Sequence, residues 1–174
     1  IHLLPNGDVT VAEALFMPAP AKTIFDHAMV STLKRAAAIG ESPNRITLLR
    51  DADGDGVAEV RETLLEGLSQ PFGMALLGDM FYVGNTDGVV AFPYASGATR
   101  ITAPGRRLAT FKPGGHWTRS LLSSADGRKL YVGVGENGFP DRAQDPTNPF
   151  GKLLRFNDDG SIPSDNPFFA TQTG

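Results

Sequence analysis

The sequence predicts an all-β chain of the propeller type, and three observations lead there. Turn residues followed by alternating apolar residues recur in Pro5 to Ala12 (PNGDVTVA), Leu77 to Gly84 (LGDMFYVG) and Asp126 to Gly133 (DGRKLYVG). Each reads as a strand entered through a glycine-containing turn. Anchored on Val11, Val83 and Val132, the units stand 72 and 49 residues apart. Propeller blades repeat every ~40–50 residues, so the second spacing is one blade and the first is a blade plus an insertion. Finally, 20 glycines, 13 prolines and 41% hydrophobic residues in 174 positions describe a folded, turn-rich chain with a core.

The elements follow in order. After the first strand, Pro18 to Gly40 forms the insertion. It opens Pro18-Ala19-Pro20, carries Ile24, Phe25, Ala28, Met29, Leu33 and Ala37 near helical spacing, and closes on Gly40. This pattern predicts a surface helix packed on the sheets. Arg45 to Arg50 is short, follows Pro43 and contains β-branched residues, and so reads as a strand. Beyond it, Val57, Val60, Leu64, Leu65 and Leu68 fit a helical stripe, leaving that stretch open between helix and strand. Strands follow within Leu77 to Gly84 and over Gly88 to Pro93, Ser120 to Ser123, Lys129 to Val134 and Lys152 to Asn157. Between the third and fourth of these, Asp126-Gly127 supplies the positive-φ residue of a tight hairpin turn. Many short strands with one helical insert describe a propeller rather than a sandwich. The whole chain, residues 1–174, reads as one incomplete propeller domain with a helical insertion at about 18–40.

Charge and composition exclude several functions. Sixteen Lys and Arg against nineteen Asp and Glu leave a net charge of −3, which gives no field for nucleic acid or an anionic membrane. No apolar run is long enough to span a bilayer. With no cysteine, disulfides, thiol catalysis and Cys-ligated zinc are ruled out. The chain starts at Ile1, without Met or signal peptide, and is expected to be a processed or excised piece of something longer.

Two segments carry chemistry. His116 lies in Pro113-Gly-Gly-His-Trp-Thr-Arg119, just before the hairpin, at a sheet end where loops carry function. Its imidazole can accept a proton near neutral pH, and a solvated loop histidine is the competing reading. Asp51 to Glu62 matches the calcium-loop pattern D-x-[DN]-x-[DN]-G-x5-E. Asp51, Asp53 and Asp55 offer oxygens at alternate positions, Gly56 allows the sharp turn, Val57 offers its carbonyl and Glu62 takes the bidentate position. An EF-hand needs a helix on each side, and the strand before this loop predicts a calcium-braced β-hairpin instead. The metal would be structural, and an unmetallated acidic turn is the alternative.

Several segments together resemble the pyrroloquinoline quinone-dependent glucose/sorbosone dehydrogenase family. They are Leu4 to Asp8, Asn44 to Gly56, Glu66 to Ala75, Gly115 to Arg119 with its Asp-Gly hairpin, and Gly151 to Pro167. The first two-thirds is most similar to the sorbosone-dehydrogenase branch, and Gly151 to Pro167 to the soluble aldose-dehydrogenase branch. The resemblance implies a six-bladed β-propeller with the quinone over its central channel. At roughly 45 residues per blade, this chain holds three to four blades. For His116 the resemblance implies the general base, taking a proton from an aldose or sorbosone while hydride passes to the quinone. It implies that Arg119 and Gln70 lie at the cofactor, although Arg119 reads equally as a strand-end salt-bridge residue. A small-molecule sugar or aldehyde substrate and a periplasmic or secreted location follow from the same source.

Two departures stand out. Gly115 precedes His116 where several relatives carry an acid, so the sequence names no partner for the imidazole. The chain also stops before the family's Arg-Asn-Pro motif and later blades, which predicts a homo-oligomer or a missing second half of the propeller. Two other functions compete: a catalytically incomplete, calcium-braced binding or structural piece, and a lactonase-type metal-dependent hydrolase. The hydrolase would use Glu13, Asn85 and Glu136 at strand ends.

Overall fold

Among the residues described by the computed structural model, 1–15 and 20–167, eleven strands form three antiparallel sheets. The expected opening of the insertion, Pro18-Ala19, lies outside the described residues. The first sheet runs β1 (His2–Leu3), β2 (Val9–Glu13), β3 (Arg45–Arg50), β4 (Val60–Leu65). The second runs β5 (Gly73–Leu77), β6 (Met80–Asn85), β7 (Gly88–Pro93), β8 (Arg106–Thr110). The third holds β9 (Arg119–Ser123), β10 (Lys129–Val134) and β11 (Lys152–Asn157), again in chain order. Each sheet is thus a meander of neighbouring strands.

The sheets stack face to face. Ile46, Leu48, Leu64, Met74, Phe81 and Val83 fill the layer between the first and second. Ala75, Leu77, Tyr82, Val89, Leu130, Val132 and Val134 fill the layer between the second and third. Met74 against Ala75, and Phe81 against Tyr82, show the two-residue period sending neighbours to opposite layers. The middle sheet is covered on both faces, which is why β5 and β6 read as continuous apolar runs. Each fully buried Leu, Val or Phe contributes about 1.5–3 kcal/mol of transfer free energy. The sheets also approach closely: a Cβ at Gly84 would lie 2.5 Å from the carbonyl oxygen of Arg119.

The open stretch after the acidic loop resolves as a strand. β4 pairs with β3 at Leu48↔Glu62 and Arg50↔Val60, and its Leu64 and Leu65 are buried. Cross-strand pairing and burial override the helical spacing of its leucines. The insertion holds α1 (Ile24–Arg35), opened by a capping box between Thr23 and Asp26. None of its residues is buried, so it covers no sheet tightly.

Strand direction sorts the connections onto two rims. The ends of β2, β6 and β10 and the starts of β3, β5, β7, β9 and β11 share one rim. Hydrogen bonds bind it across sheets, from the Gln70 amide to Asn44 Oδ1 (3.1 Å) and from Arg119 Nη2 to the Thr86 carbonyl (3.0 Å). The acidic loop, residues 51–59, lies on the opposite rim, where Arg50 Nη2 donates to the Gly97 carbonyl at 2.8 Å.

Candidate functional site

His116 stands on the first rim, in the loop entering β9, with its side chain 53% exposed. The register places its neighbours. β9 pairs with β10 at Val134↔Arg119, and the same register carried past the strand ends sets Asn137 opposite His116. The His116 amide donates to Asn137 Oδ1 at 3.1 Å. Glu136 Oε2 lies 2.5 Å from His116 Nδ1, and the Asn137 amide lies 3.3 Å from the same nitrogen. Only one of those contacts can be the strong one. An unprotonated Nδ1 would set lone pair against carboxylate at 2.5 Å, so we assign the proton to Nδ1. The Nε2 lone pair is then left free to accept a proton. Glu136 Oε2 also accepts from the Gly138 amide at 3.1 Å, which fixes the carboxylate.

This contact needs a bare backbone beneath the ring. A Cβ at Gly135 would lie 2.6 Å from His116 Cβ and 2.7 Å from its Nδ1. The loop beyond turns through positive φ at Asn137 (65°) and Gly138 (80°), conformations that Asn and Gly tolerate best. Beside the imidazole loop, Phe72 meets Trp117 edge to face at 6.0 Å between centroids. A cleft of about 310 Å³ opens next to Phe72, between His2, Met74, Ser120 and Leu121.

The other residues implied at the cofactor sit differently. Arg119 is fully buried, with Nη1 donating to the carbonyls of His116 (2.5 Å) and Thr118 (2.9 Å) and Nη2 to that of Thr86. Burial pulls its guanidinium below the usual arginine range. It makes no salt bridge with any described residue, so the strand-end salt-bridge reading is corrected. Gln70 takes a positive φ of 47° and spends Nε2 on the Leu15 carbonyl at 2.9 Å.

On the opposite rim, Asp51, Asp53, Asp55 and Glu59 bring carboxylate oxygens within 4.8 Å of one another. Glu62 is not among them. It is an exposed residue inside β4, because the hairpin closes three residues earlier than the EF-hand count expects. Val57 stays in the loop, its amide donating to Asp55 Oδ1 at 2.8 Å. The amides of Gly56 and Gly54 hold the Asp51 carboxyl below the ordinary carboxylate range. Glu13, Asn85 and Glu136 do not converge. Glu13 pairs with Arg45 at 2.8 Å, Asn85 accepts from the Ser69 amide at 3.3 Å, and Glu136 holds His116.

Residues 105–174 match the glucose/sorbosone dehydrogenase family. Over this stretch the chain is similar to that family. The aldose sugar dehydrogenase YliI of Escherichia coli (strain K12) is 38% identical over 63 residues, 36% of this chain and 17% of its own. An uncharacterized protein of Synechocystis sp. is 37% identical over 67 residues, covering 33% of this chain and 16% of its own. The matched segments are therefore under a fifth of the length of these curated relatives. The pyrroloquinoline quinone-bound aldose sugar dehydrogenase of Streptomyces coelicolor superposes with a TM-score of 0.58 at 23% identity. That match covers 72% of this chain and 42% of the other. The three sheets are blades of a β-propeller.

The sequence left Glu136 as a rim residue and missed its role as the imidazole's partner. The signal that finds it is the hairpin register, which returns the residues after β10 to the loop before β9.

Proposed function

We propose that this chain is the base-bearing part of a pyrroloquinoline quinone-dependent sugar dehydrogenase acting on an aldose or sorbosone. The observation that carries the reading is the exposed His116 imidazole with Glu136 2.5 Å from its Nδ1, on the rim of a family propeller. Oxidising a sugar hydroxyl or hydrated aldehyde removes one proton and one hydride. His116 Nε2 takes the proton, and the Glu136 carboxylate holds the ring in orientation and stabilises the imidazolium that forms. A positioned base of this kind contributes roughly 10²–10⁴-fold in rate.

The hydride side is served differently. The quinone is a tricarboxylate and calls for cationic partners. The side chains against His116 are Glu136 and Asn137, while Arg119 is spent on carbonyls. These residues manage the proton and do not form a cradle for the quinone. Arg119 and Gln70 act from within the rim rather than on its open side.

Calcium fits the opposite rim on the chemistry of its donors. Asp51, Asp53, Asp55 and Glu59 would hold the ion through hard carboxylate oxygens, bracing the β3–β4 hairpin. A periplasmic or secreted location accompanies the family reading. Among the described residues, no helix is long and apolar enough to cross a membrane.

The reading is tested by supplying pyrroloquinoline quinone and calcium and following dye reduction with a panel of aldoses and sorbosone. Dye reduction with at least one sugar is expected when a second chain supplies the quinone's cationic partners. Metal-dependent lactone hydrolysis without sugar oxidation would put the hydrolase in its place. Neither activity, with no quinone bound, would leave a structural propeller piece.

A further inference from the structure

We propose that Arg119 is a positioning residue that locks His116 against Glu136 by tying the base loop to the neighbouring blade. This inference rests on reading His116 as the base. Arg119 has no exposed surface, and its guanidinium is shared between two blades. One terminal nitrogen grips the His116 and Thr118 carbonyls of the third sheet's entry loop. The other grips the Thr86 carbonyl, on the β6–β7 turn of the second sheet. The guanidinium carbon lies 5.5 Å from the Phe111 ring centroid, so an aromatic face closes one side. Gly84 leaves room for the Arg119 backbone to sit directly on the second sheet.

A buried cation compensated by carbonyl dipoles and one aromatic face, without a carboxylate among the described residues, is an expensive way to fill space, and Arg119 Nε has no partner among them. What the arrangement provides is position. The carbonyl of the base residue itself is held at 2.5 Å, three residues from the guanidinium's own backbone. With that carbonyl fixed, rotation of the His116 peptide is blocked, and Nδ1 stays against Glu136. An apolar side chain of similar length fills the space and grips none of the three carbonyls. Lysine can reach one or two of them.

The test compares wild type, Arg119→Met and Arg119→Lys in the 174-residue chain, using ¹⁵N NMR of the histidine rings and amide hydrogen exchange. The other two histidines, His2 and His27, serve as controls. Wild type should show His116 in the Nδ1–H form. Arg119→Met should mix the His116 tautomers and speed exchange at the His116 amide at least tenfold beyond that at Leu130 and Val132. Arg119→Lys should fall between. If exchange rises equally everywhere and the His116 tautomer is unchanged, Arg119 is only a packing residue and the inference fails. If Arg119→Met does not fold, Arg119→Lys decides: a near wild-type melt must come with a changed His116 tautomer balance, and an unchanged balance overturns the inference. Neither readout needs activity. A His116→Gln enzyme that keeps its rate would remove the base reading while leaving this result intact.

Discussion

At the scale of single residues, two carboxylates do different work with similar chemistry. Glu136 meets an exposed imidazole and leaves its far nitrogen open, whereas Asp8 is buried and fully engaged. Asp8 is 2% exposed and takes Arg50 through both oxygens, at 2.8 Å to Nε and 2.7 Å to Nη2. The Arg50 hydrogen bonds hold the Asp8 carboxyl below the ordinary aspartate range. A carboxyl whose folded pKa is depressed stabilises the fold at pH values above its unfolded pKa. That contribution is lost as pH falls through the folded value. The melting temperature should therefore drop on acidification below the ordinary aspartate range, and less so in Asp8→Asn. At neutral pH, Asp8→Asn should cost about 2 kcal/mol, or about 4–8 °C, in a thermal melt. Equal acid sensitivity of the two proteins would show that Asp8 is not the group responsible.

Among the elements, those with a strong local signal were legible in the sequence. The Asp126-Gly127 turn and the alternating runs around it give β9 and β10 nearly to the residue. β4 was obscured because its leucines also fit a helical period, and only pairing with β3 decides between them. β8 carries little alternation in RRLAT and exists because β7 pairs with it, across a register shift at Val89/Val90. In the candidate site, His116 and the acidic loop were legible from local motifs. The Glu136 contact and the buried state of Arg119 were not, since both depend on how a hairpin and a neighbouring sheet fold back on them. The acidic loop makes its own prediction. Calcium binding to the folded hairpin should raise the melting temperature as calcium is titrated in, and a chelator should reverse it. Asp51→Asn should abolish the rise and Glu62→Gln should leave it intact. A rise that depends on Glu62 rather than Glu59 would return the ligand set to the EF-hand count.

Among the described residues the molecule is a stack of three blades, and the outer face of the third blade is left bare. On β9 and β11 of the third blade, Leu122 and Leu153 are 66% and 72% exposed. An apolar sheet face of this kind favours association, so the 174-residue chain should self-associate at micromolar concentration. Sedimentation should show Leu122→Lys with Leu153→Lys shifting it to monomer, and a wild-type monomer over that range would contradict the expectation. The central claim concerns the rim, where we propose that His116 takes the substrate's proton. It is tested most directly by the dye-reduction rate of His116→Gln against wild type, at matched quinone loading and saturating sugar. The account predicts a loss of roughly 10²–10⁴-fold, with quinone binding retained. A His116→Gln rate equal to wild type would contradict it.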